Sequence, residues 1–300
     1  MLCLTYSPHM PFAMVALVKK FSLWWLFMVI RSDDRQALSC SLAEVAGMGR
    51  LEFNNALMTN CDSLLYRLRD RILNSDCCVY VLLHHICRRL ESADGNFSSL
   101  NLRRLLTTEN AMSSFLRNHE IVFKIIDESI APFVNGKRID LTHALTPYEA
   151  NIKFRLLGVN GVVDTCVNGY ALGDSVQNNK EFSYYSGCPE LIFMLDQIFP
   201  SIGLFHDYQE QSSVYLISYP VNVVDVILDD LEQACCRDKV EELVRCYLKR
   251  LLDGFGRDEM INADLGNVIL RVGDDVDLSG KGSIVRKLNK GRLELLQDIL

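Results

Sequence analysis

Several signatures that would name a chemistry are absent from this chain. It has no C-x-x-C pair, no Gly-x-Ser-x-Gly elbow and no glycine-rich loop ending in lysine. Closely spaced cysteine pairs are what build most structural zinc sites, because two ligands from one turn fix the tetrahedron. The elbow and the phosphate loop are the usual local marks of hydrolases and nucleotide-binding enzymes. There is no internal repeat and no low-complexity tract. There is also no uninterrupted apolar run of the roughly 20 residues that a membrane-spanning helix needs.

The longest apolar run is residues 10–30, MPFAMVALVKKFSLWWLFMVI, which holds both tryptophans. Lys19 and Lys20 divide it into Pro11–Val18 and Phe21–Ile30, each too short to span. A charge near a helix centre costs about 3 kcal/mol on insertion scales. The layout of basic residues before a short apolar core also suits a signal peptide, but Arg31-Ser32-Asp33-Asp34-Arg35 follows with no small-x-small cleavage site. The run reads first as a buried N-terminal element, second as an interfacial anchor and third as a cleaved signal. No transmembrane span is expected. Trp24, Trp25 and Phe27 are the candidate binding residues of this segment.

Composition gives broader bounds. Hydrophobic residues make up 49% of the chain and aromatics 9%, enough for a proper core. The net charge of −7 is uneven. Residues 1–150 carry sixteen Lys and Arg against fifteen Asp and Glu, and residues 151–300 carry fifteen against twenty-three. An acidic C-terminal half argues against that half lying on a phosphate backbone. The eleven cysteines lack framework spacing and read as small buried hydrophobes, which points to an intracellular, cytoplasmic or nuclear, protein.

Periodicity suggests an order of elements. Apolar residues at Leu51, Leu57, Leu64, Leu65, Leu68 and Ile72 predict a helix over residues 50–73. A second helix is expected over 77–90 and a third over 109–130. A hairpin is expected around Asn160-Gly161, helices at 189–199 and 239–252, strands at 214–219 and 267–272, and a terminal helix at 282–300. The expected fold is α+β and mainly helical. It has an apolar segment at 1–35, a helical bundle at 36–135 and a mixed α/β region at 136–300.

One stretch carries candidate metal ligands. Gly273-Asp274-Asp275 after a strand resembles the way template-dependent polymerases present metal-binding carboxylates, with Asp225 or Asp230 as an upstream partner. Asp275-x-Asp277-x-Ser279-Gly280 also resembles the first half of an EF-hand loop, but Gly282 and Arg286 stand where the second half needs ligands. Asp274, Asp275 and Asp277 are therefore the candidates for a divalent cation, behind the first reading of a plain acidic turn between a strand and the last helix. Val163-Asp164 through Asn168, Tyr170 and Gly173, followed by Gln177 and Cys188-Pro189, resembles the ADP-ribose-binding loop of macrodomains. It lacks the glycine triplet that lets backbone reach a diphosphate. No catalytic residue is assigned.

The expected role is that of a non-enzymatic structural or interaction protein. It would bind a protein partner, or a second copy of itself, through helix faces and the apolar N-terminal segment. The alternatives are a metal-dependent phosphoryl-transfer or nucleotide-binding enzyme using the C-terminal aspartates, and a membrane-surface protein.

Overall fold

The structure, a computed structural model, describes residues 27–93, 97–141, 146–158, 165–174, 176, 182, 186–229, 231, 233–253, 267–273, 276, 278, 282–289 and 291–300. It corrects the expected fold class. The chain is not mainly helical and has no N-terminal helical bundle. An eight-stranded sheet organises it.

Strand β1 (Phe27–Ile30) leads into helices α1 (Arg35–Ala46), α2 (Arg50–Thr59) and α3 (Cys61–Leu73). Asp34 caps α1 through Ala37 N at 2.8 Å, and Gly47 ends it at φ +62°. Asn60 splits the helix expected over 50–73, since its side chain accepts from Ser63 N and starts α3. Residues expected to continue the bundle instead form β2 (Cys78–Leu90). Val79, Val81, Leu82, Leu83 and Ile86 are all buried, so this stretch is apolar on both faces. Such a run fits the helix and buried-strand templates equally. The β-branched valines and Ile86, and neighbours on both edges, select the strand.

The next region, α4 (Leu102–Thr107), α5 (Ala111–Asn118), β3 (Ile121–Ile126), β4 (Ser129–Val134) and β5 (Lys137–Arg138), also departs from the expected long helix. Asp127 and Glu128 turn the β3–β4 hairpin with φ of +49° and +67°. Two positive φ values are what a tight hairpin turn requires, but without Asn or Gly the sequence carries no signal for it. Helices α6 (Pro147–Leu157), α7 (Glu190–Ile198) and α8 (Leu204–Glu210) follow. Between them, β6 (Val167–Tyr170) enters the sheet. The expected hairpin around Asn160-Gly161 falls outside the described residues. Strand β7 (Ser212–Asn222), helix α9 (Cys236–Leu252) and strand β9 (Ile269–Val272) lie close to where periodicity puts them, and β8 (Val226–Leu228) is a short strand that periodicity does not mark. The expected terminal helix is instead a hairpin of β10 (Ile284–Asn289) and β11 (Arg292–Asp298), with Gly291 at φ +79° in its turn.

The sheet order is β11-β10-β7-β2-β6-β9-β8, with β1 parallel to the first residues of β2 and every other pair antiparallel. Helices α1–α3 and α9 pack with β2, β7 and β9 around one core that includes Phe53, Leu68, Tyr219 and Tyr247. Helices α4–α8 and the β3–β4 hairpin close a second core around Phe115, Ile121, Ile192 and Tyr208. Buried polar groups tie β1 to the sheet. His84 bridges Ser32 Oγ at 2.9 Å and Ser218 Oγ at 2.7 Å, and Asp33 accepts from both Arg31 and Arg286. Among the described residues no helix is long and apolar enough to cross a membrane, and the ten described cysteines are free thiols.

Candidate functional site

The site arises from a split in the sheet. On one edge β2 pairs with β7 without interruption from Tyr80 to Leu90. On the other edge β1 covers Cys78–Val81, and β6 meets β2 in register only at His84↔Tyr170. Two glycines permit that approach. A Cβ at Gly169 would stand 2.5 Å from Leu83 Cδ2, and one at Gly173 would stand 2.6 Å from His84 Nδ1. From there β6 runs along β9 instead, and the gap between β2 and β6 holds a cavity of about 1040 Å³. Leu102, Leu105, Met112, Leu191 and Met194, from the second core, form its apolar side.

Its polar side is cationic within an acidic chain. Among the described residues lining the cavity, five are arginines (Arg88, Arg89, Arg104, Arg155 and Arg271) and three are carboxylates (Glu109, Glu190 and Asp229). Arg155 pairs with Glu190 at 2.8 Å and Arg271 pairs with Asp229. Glu109 turns to Arg117, outside the lining, at 2.6 Å. Arg88 is held by neutral acceptors alone: Ser212 Oγ and Gln209 O at 2.7 Å, Ser212 O at 3.1 Å and Ser186 O at 3.3 Å. Its charge therefore has no carboxylate partner among the described residues.

His85 and Asn168 add hydrogen-bonding capacity. His85 Nδ1 lies 2.7 Å from the carbonyl oxygen of Asn168. A carbonyl only accepts, so Nδ1 carries the proton and the neutral ring presents Nε2 as an acceptor. Burial, with a smaller contribution from the Arg89 charge, lowers the His85 pKa and keeps the ring neutral. Asn168 and Arg271 stand opposite each other on the β6–β9 ladder. Asn168 Oδ1 and Arg271 Nε are both buried and have no hydrogen-bond partner among the described residues. Buried polar atoms are nearly always paired, so two orphans side by side on one cavity wall need a reason.

Cys87, which lines the cavity, is not poised as a nucleophile. Burial pushes its thiol up to about 11, with the Arg89 charge opposing the shift. Burial likewise raises the Tyr208 hydroxyl, which donates to Arg88 O at 2.7 Å. The arrangement is suited to holding an anion by charge and hydrogen bonds.

The candidates read from the sequence lie elsewhere. Asp274, Asp275, Asp277 and Asp230 lie outside the described residues, and Asp225 sits in a short 3-10 turn between β7 and β8. Among the described residues no group of three or more His, Cys, Asp or Glu is placed to hold a metal ion. Trp24 and Trp25 also lie outside. Phe27 opens β1, half-buried, with its ring edge-on to Tyr80 at 6.3 Å. Of the macrodomain-like stretch, Asn168, Tyr170, Gly173 and Cys188-Pro189 are among the described residues. The first three lie on β6 or just after it, as parts of the cavity wall and its support, and Cys188-Pro189 leads into α7. His85, Arg88 and Arg89 escape sequence reasoning because β2 passes for a helix there, and Arg104, Arg155 and Arg271 join them only through contacts distant in sequence. Read as a strand, His85, Cys87 and Arg89 fall on one face. No protein-family model, curated protein or solved structure matches this chain, so the site is judged by its geometry alone.

Proposed function

We propose that this chain is a binding protein for a small anion with an apolar or aromatic body, held in the gap between β2 and β6. One observation carries the reading. A cavity of about 1040 Å³ has an apolar side and a side on which arginines outnumber carboxylates, in a chain of net charge −7. Its volume and mixed lining are those of small-molecule sites. The anionic group would sit near Arg88 and Arg89, and the apolar body against Leu105, Met112 and Met194. The interaction role is expected from helix faces and the segment at 1–35, of which Trp24 and Trp25 lie outside the described residues and Phe27 packs on Tyr80. The cation role rests on Asp274, Asp275 and Asp277, which are outside the described residues. The cavity is where the described side chains converge.

The test uses 8-anilinonaphthalene-1-sulfonate, a planar aromatic anion. The full chain should give a saturable fluorescence increase at one site. Met194→Trp on α7 and Leu105→Trp on α4 each fill the cavity from a different wall, and each should abolish the signal while leaving the circular dichroism spectrum unchanged. A signal that survives both substitutions, or none in the wild type, would overturn the proposal.

A further inference from the structure

The cavity wall carries hydrogen-bonding capacity that charge recognition does not use. His85 offers Nε2 as an acceptor, Asn168 Oδ1 is a second acceptor without a partner, and Arg271 Nε–H is a donor without one. Asn168 and Arg271 are directly opposite on neighbouring strands, where side chains stand about 4.5–5.5 Å apart at Cβ. That spacing lets one planar group meet both. Leaving such groups unpaired in the free protein carries a desolvation cost that no partner among the described residues offsets. Native structures concentrate that kind of cost at functional sites. A ligand edge with an N–H beside a carbonyl satisfies both orphans together: the N–H donates to Asn168 Oδ1, and the carbonyl accepts from Arg271 Nε. Both atoms are shut off from solvent, so the edge reaches them only when the Asn168 carboxamide and the Arg271 guanidinium both turn toward the cavity.

Resting on the binding role proposed above, we infer that the ligand is of the nucleoside-monophosphate class. Its base carries a lactam edge read by Asn168 and Arg271, and its phosphate lies toward Arg88 and Arg89. The apolar side of the cavity receives the face of the ring. An isolated small anion would use the arginines and leave the two orphans as they are.

The probe is uridine 5′-monophosphate, measured by displacement of the anilinonaphthalene sulfonate from the wild-type chain. Two controls accompany it: ribose 5-phosphate, which keeps the anion and drops the base, and 3-methyluridine 5′-monophosphate, which removes the N–H. Uridine monophosphate should displace the dye at least tenfold better than either control. Asn168→Leu should erase that advantage, read as the ratio of uridine monophosphate to ribose 5-phosphate displacement in the same variant. Arg271→Lys, which keeps a charge for Asp229, should reduce it. If ribose 5-phosphate competes as well as uridine monophosphate, the site takes anions only and the inference fails. If the tenfold advantage persists in Asn168→Leu, or no nucleotide displaces a dye that the cavity-filling substitutions do block, the inference also fails while the binding role stands. If the dye is not bound in the cavity at all, the binding role itself fails.

Discussion

His84 and Tyr170 form the one register pair that β2 and β6 share, and the sheet opens immediately beyond it. Their pairing brings β6 close enough for Gly173 to lie against the His84 ring. It also lets β6 leave for β9, carrying Asn168 and Arg271 to the far wall of the gap. The fold near His84 therefore decides where the cavity begins.

Gly173→Ala should destabilise the chain by about 1–3 kcal/mol, because the added Cβ would lie 2.6 Å from His84 Nδ1 and 2.7 Å from Cε1. The same substitution made on a His84→Ala background should cost much less, since the ring it strikes is gone. Urea unfolding of the four proteins in that cycle measures the coupling. Equal costs on the two backgrounds would mean that the packing of Gly173 on His84 is not what matters.

The buried His84 should make stability depend on pH. Burial, with Asp33 opposing it, holds the ring near a pKa of about 3, against about 6.5 in the unfolded chain. Between those values the unfolded chain binds a proton that the folded chain does not. Stability should therefore fall as pH drops from about 6.5 toward 3, by about 1.4 kcal/mol per unit in mid-range. Asp33 adds to the loss below about pH 4. Its burial alone would raise its pKa, but hydrogen bonds and charge from Arg31 and Arg286 outweigh burial and lower it. Urea midpoints at pH 7, 6, 5 and 4 test this. His84→Asn should flatten the slope between pH 6 and 5, and an unchanged slope would assign it to another group.

Much of this was legible in the sequence only in parts. The period of α9 survives folding because the helix has one buried face and one exposed face, whereas β7 is legible from its β-branched and aromatic residues, being buried on both faces over Leu216–Val221. β2 is buried on both faces, so its pattern has no period with which to tell strand from helix. The Asp127-Glu128 turn carries no signal and the turn between β10 and β11 has only Gly291, so both hairpins pass for helix in the sequence. The cavity inherits the error. Its arginines looked like a solvated helix face at Arg88 and Arg89, and their convergence with Arg155 and Arg271 depends on contacts far apart in sequence.

Arg88→Met should destabilise the chain by about 2–4 kcal/mol. It strands the acceptors at Ser186, Gln209 and Ser212 that the guanidinium ties to the end of β2. Arg88→Lys should recover less than half of that loss, because an ammonium cannot fork to several acceptors. Thermal or urea unfolding checks both variants. Full rescue by lysine would show that charge alone, and not the fork, holds that corner.

Asn168→Leu should leave the free protein as stable as the wild type or more stable by about 1 kcal/mol, since it removes a buried acceptor that has no partner. A residue kept for structure would behave in the opposite way. A drop of 2 kcal/mol or more in urea unfolding would mean that Asn168 is bonded in solution and is not held in reserve for a ligand.

The most direct measurement of the central claim is a crystal structure of the full chain with anilinonaphthalene sulfonate. The dye should lie in the gap between β2 and β6, with its sulfonate beside Arg88 and Arg89 and its rings against Leu105, Met112 and Met194. Dye density confined to another surface, with this gap closed or filled by the chain's own side chains, would contradict the account.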